Sequence, residues 1–139
     1  MFLEEAVQLV QQCANRMNAL YGQEVFDEWA LVSFEKNEGR ILRYLGPRKE
    51  DFRRNFFADV AELAPTLFAH QHSVGDFEFA RKGSGTKLEA FIVVGDRLYL
   101  ICNNTALSMD DIAANPAWLN AQAPFAELAD KFRSSPVVA

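Results

Sequence analysis

Apolar and polar positions repeat along this chain with two periods, and the changes of period mark its elements. Leu3, Ala6/Val7, Val10, Cys13/Ala14, Met17 and Leu20/Tyr21 recur every three to four residues, which predicts an amphipathic helix over 2–21, with Gly22 as its stop. Trp29–Phe34 and Arg40–Leu45 read as the strands of a hairpin joined by the polar loop Glu35–Gly39 and closed by Gly46-Pro47. From Pro47 to about Ala69 the helical period returns, with Phe52, Phe56, Val60, Leu63 and Leu67 as one stripe, kinked or ended by Pro65. Asp76–Lys82 alternates strictly, with Phe77 and Phe79 on one side, as an edge-like, half-buried strand does.

The stretch that organises the rest is Leu88–Asn104. Two apolar runs, Ala90–Val94 and Leu98–Cys102, flank Gly95-Asp96-Arg97, and a Gly-Asp pair between β-rich runs is a hairpin signal because glycine accepts the positive φ of primed turns. Both faces of each run are apolar, so the pair is placed in the middle of a sheet that is covered on both sides. Beyond it the chain is helical again. Ser108-Met109-Asp110-Asp111 is a helix-start signature, and Asn115-Pro116 opens another short segment. Pro124 stands as a first helical residue, with Trp118, Leu119, Phe125, Leu128, Ala129 and Phe132 as the buried side. The tail 134–139 is expected to be loose.

The predicted order is α-ββ-α-βββ-α: an α+β fold with a five-stranded antiparallel sheet and helices on both faces, in one domain spanning 1–139. Half of the 139 residues are hydrophobic and twelve are Phe, enough for a real core and too many for a disordered chain. The net charge of −5 argues against a nucleic-acid-binding protein. Cys13 and Cys102 sit in apolar patterns and read as buried, reduced thiols. Neither a basic leader nor a run of membrane-spanning length is seen, so a cytoplasmic location is expected.

The candidate chemistry is sparse. His70 and His72, with Asp76 four residues on from His72, have metal-like spacing, yet no Cys or His cluster supplies the remaining ligands. Gly83-Ser84-Gly85-Thr86-Lys87 has the composition of a phosphate loop without its spacing, and it runs from strand to strand. Ser33, Ser73, Ser84 and Ser108 lack a nucleophile elbow. Glu4-Glu5 and Asp27-Glu28 read as solvated ends and Asp110-Asp111 as helix-start charge. A non-enzymatic protein with no cofactor and no metal is the expectation.

Charge and aromatic placement say more. Arg40, Arg43, Arg48, Lys49, Arg53 and Arg54 face only Glu50 and Asp51 within 40–54, a window of net +4 that leaves −9 for the rest of the chain. Such an island is a candidate contact for an acidic partner. Phe56 and Phe57 are adjacent on a helix and widen its apolar face, while Phe77 and Phe79 lie on an edge strand that needs a partner. A homodimer that joins edge strands and packs second helices together, through Phe56, Phe57, Val60, Phe77 and Phe79, answers both features.

In element order, in the strand-to-helix passage over 40–54 and in the IVVGDRLYLI hairpin, nearly the whole chain from Phe2 to Phe132 resembles the Roadblock/LC7 family of profilin-like domains. The C-terminal region, broken at Pro116 and Pro124, is longer than that pattern. The resemblance implies a non-enzymatic homodimer, continuous through the Asp76–Lys82 strand and paired through the helix near Lys49–Ala64. It further implies a scaffold or regulator of small GTPases or a motor-complex adaptor. Two other readings stay open: a small-molecule sensor with an apolar pocket between sheet and helix, and a secretion-chaperone-like dimer, whose usual order has three strands before the middle helix and two after.

Overall fold

A computed structural model describes residues 1–35, 38–58, 90–107 and 109–138. Their order is α1 (Leu3–Tyr21), β1 (Glu28–Glu35), β2 (Glu38–Leu45), α2 (49–58), β3 (Ala90–Gly95), β4 (Leu98–Asn103), α3 (Met109–Ala114) and α4 (Trp118–Ser134). The fold is α+β with an antiparallel sheet, four-stranded among the described residues, in the order β2-β1-β4-β3. The expected strand Asp76–Lys82, the helix beyond residue 58, the two histidines and the Gly83–Lys87 turn lie outside the described residues. Within the Leu88–Asn104 hairpin, β4 is interior to the sheet and β3 ends the described order.

α1 buries Ala6, Val10, Cys13, Met17 and Tyr21, one stripe at helical spacing. Glu5 Oε1 accepts the Phe2 N–H at 3.3 Å at its start. Gly22, at φ 88°, ends it in the left-handed conformation that an L side chain resists, and its N–H reaches Asn18 O at 2.9 Å. β1 is buried on both faces, as its position between β2 and β4 demands. Trp29 and Leu31 join Leu100, Cys102, Ile92 and Val94 under α1 and α4 in one core. Phe34 lies toward α2, its ring 5.5 Å from Phe56 and 5.8 Å from Tyr99. Helices therefore cover both faces of the sheet.

Four local expectations are corrected. Pro124 is inside α4 rather than at its start. It withholds one helical N–H from the Asn120 carbonyl, and the helix persists because Trp118, Ala121, Phe125, Leu128, Ala129 and Phe132 are all buried along one side. Leu119, turned off that stripe, is 78% exposed instead of buried. The tail is not loose. Val137 is buried, its N–H donates to Val94 O at 2.8 Å, and Val138 N–H donates to Met1 O at 2.8 Å beside a parallel bridge to Phe2.

The fourth correction concerns Gly95. The positive φ of the β3–β4 turn falls on Arg97, at 58°. Gly95 is needed for space, since a Cβ there would stand 2.7 Å from Val137 O. The register steps from Val93↔Tyr99 to Gly95↔Leu98, so Val94 is an extra residue whose carbonyl is available to the tail.

Candidate functional site

The basic stretch 40–54 runs from β2 through the turn at Gly46 into α2, and a polar cluster fixes where that helix begins. Arg48 Nη1 donates to Asp27 Oδ2 at 3.1 Å and to Thr105 Oγ1, and Thr105 also donates through its hydroxyl to Asp27 Oδ2 and through its N–H to Asp27 Oδ1 at 3.2 Å. Beside this clasp Glu28, 6% exposed, accepts from Tyr44 Oη at 2.7 Å and from Asn103 Nδ2 at 3.1 Å. Both carboxylate oxygens thus have donors, as a buried charge requires. The expectation that Asp27-Glu28 is a solvated end is corrected at Glu28, because Asn103, a partner distant in sequence, comes from the paired strand. Tyr44 Oη also accepts the Arg48 backbone N–H at 3.1 Å. Burial, and then the bond to Glu28, push the Tyr44 phenol above its ordinary pKa, so it stays a donor. Gly46 makes room for this arrangement, since a Cβ there would meet Tyr44 Oη at 2.8 Å and Asp27 O at 2.9 Å.

The six basic residues divide into two sets. Arg43 pairs with Glu4, Arg48 with Asp27 and Arg54 with Asp51. Arg40, Lys49 and Arg53 have no carboxylate within ion-pair distance among the described residues, and all three are exposed. They line one groove of about 390 Å³ between β2 and α2, with Gly39, Ile41, Tyr44, Phe52 and Phe57 as its remaining walls. Its floor is aromatic, with Tyr44 and Phe52 5.2 Å apart and the buried Phe56 behind Phe52 at 5.9 Å, and the Arg53 guanidinium carbon lies 5.8 Å from the Phe57 ring centroid.

Of the residues assigned to a dimer contact, Phe56 is fully buried inside the chain against Phe34, Phe52 and Phe57. Phe57 is 44% exposed at the groove. Val60, Phe77 and Phe79 lie outside the described residues. Cys13 and Cys102 are free and buried. Burial pushes the Cys13 thiol up to about 12 and the Cys102 thiol well above 9.0, which removes both as thiolate nucleophiles near neutral pH. Among the described residues no group of three His, Cys, Asp or Glu is placed to hold a metal ion, and no helix is long and apolar enough to cross a membrane.

The sequence singled out the basic window but not its division, because ion pairing with Glu4 and Asp27 joins residues far apart in the chain. No family model, curated protein or solved structure matches this chain.

Proposed function

We propose that this chain is a non-enzymatic protein–protein interaction module, a scaffold or regulator of Roadblock/LC7-like kind that works as a homodimer. The observation that carries it is the groove between β2 and α2, where Arg40, Lys49 and Arg53 have no carboxylate partner among the described residues and stand beside aromatic walls. Exposed cations that no described carboxylate neutralises, beside the half-exposed Phe57, suit an acidic protein, a small GTPase among the candidates. Phe56 is occupied internally and Phe57 belongs to the groove, so the self-contact falls to Val60, Phe77 and Phe79.

Light scattering tests the homodimer. The expected mass is twice that of the 15.7 kDa chain, falling to one chain for Phe77→Glu/Phe79→Glu. A monomer at all concentrations contradicts it.

A further inference from the structure

Resting on the interaction-module reading, we infer that the β2–α2 groove binds an acidic peptide segment of another protein, with one large apolar side chain seated on the Phe52–Phe57 floor and carboxylates on Arg40, Lys49 and Arg53. Three features converge. Two rims of the groove are basic: Arg40 stands on the strand side, Lys49 and Arg53 on the helix side. A segment lying along the groove meets positive charge on both flanks, which a single terminal carboxylate does not use. The floor between the rims is aromatic, and at about 390 Å³ the space takes one large side chain and the backbone around it. Arg53 lies over the Phe57 ring, a placement that leaves the N–H edge of a guanidinium for a planar carboxylate.

The same features disfavour other occupants. A second copy placed groove to groove sets cations against cations, which costs affinity. A wholly apolar small ligand leaves the charged rims without a role. β2, the edge of the sheet among the described residues, also carries its own protection against indiscriminate strand pairing. Its register steps from Arg43↔Leu31 to Ile41↔Val32, so Leu42 is a bulge, with Arg43 next to it and Arg40 two residues before.

The test uses the full chain and a fluorescein-labelled synthetic peptide in which glutamates flank a central tryptophan, read by fluorescence anisotropy. Binding is expected to weaken as salt rises. Arg40→Gln/Arg53→Gln is expected to raise Kd roughly five- to twentyfold, because each exposed charge contact is worth up to about fivefold. Arg43→Gln/Arg54→Gln removes the same net charge from residues already paired with Glu4 and Asp51, and is expected to leave Kd within about twofold. All four positions are exposed, and thermal melts of both variants verify that the fold is kept.

The inference is overturned by no binding of the glutamate–tryptophan peptide, by equal weakening in the two double variants, or by equal binding when alanine replaces the tryptophan. A single-stranded oligonucleotide that binds more tightly than the peptide also overturns it, in favour of a nucleic-acid surface. A dimer in light scattering without peptide binding defeats this assignment alone. A monomer that binds the peptide defeats the homodimer and leaves the groove standing.

Discussion

Tyr44 Oη donates a 2.7 Å hydrogen bond to Oε1 of the buried Glu28, and this one contact ties the floor of the groove to the polar cluster that seats α2. The same hydroxyl accepts the Arg48 N–H, while the Tyr44 ring lies tilted against Phe52. The geometry of the groove therefore depends on a phenol whose polar end is satisfied behind it.

Tyr44→Phe is expected to destabilise the chain by about 1–3 kcal/mol, because it leaves a buried carboxylate oxygen without its donor. Urea unfolding measures this. Glu28→Gln/Tyr44→Phe should cost less than the sum of the single changes, since the two side chains share one bond.

Neighbouring phenylalanines should behave oppositely. Phe56 is fully buried between Phe34 and Phe52, so Phe56→Ala should cost about 3–5 kcal/mol. Phe57 is 44% exposed, and Phe57→Ser should cost less than about 1 kcal/mol while weakening partner binding. Denaturation midpoints of the two variants decide it.

Gly95→Ala should displace the C-terminal tail, because the new methyl would stand 2.7 Å from Val137 O. The expected cost is about 1–3 kcal/mol. In a chain ending at Ser135 the same substitution should cost much less, since the backbone obstacle is gone and only the adjustable Leu98 Cδ1, at 3.1 Å, remains close. Gly22→Ala is a useful contrast: no atom lies within 4 Å, and only the left-handed φ of 88° opposes it, at about 1–2 kcal/mol.

Alkaline pH should destabilise the fold. Cys13 and Tyr99 are pushed up to about 12 by burial, and Cys102 rises too. Each is protonated in the native state at a pH where the unfolded chain has begun to lose that proton. The stability they contribute is whole below about pH 9 and is lost as pH rises toward 12. Urea midpoints from pH 8 upward should fall, and Cys13→Ala should flatten the slope. Native thiols should resist a thiol reagent until denaturant is added.

Much of the architecture was legible because its signals are local. The stripe in 2–21, the β-rich run 29–34 before its polar loop and the two-faced apolar runs around Gly95 mark helices and strands within one or two residues of those observed. What stayed hidden depends on contacts between distant positions. Gly95 reads as a turn residue from its neighbours alone, yet it ends β3 opposite Leu98, and the constraint on it comes from the distant Val137. The missing N–H of Pro124 is visible in the sequence and suggests a helix start, whereas the burial that carries α4 through it is not visible there. Glu28 looks solvated in the sequence because neither Tyr44 nor Asn103 is near it in the chain. The groove was half legible. Its cations were recognised as a group, but Glu4, Asp27 and Asp51 select which of them remain available.

Backbone and side-chain chemical-shift mapping with the glutamate–tryptophan peptide examines the groove most directly. Shifts should concentrate at Arg40, Ile41, Lys49, Phe52, Arg53 and Phe57 and spare Arg43 and the tail at Val137. Perturbations centred on the tail or on α1, with the β2–α2 residues unmoved, would contradict the assignment of this groove as the partner site.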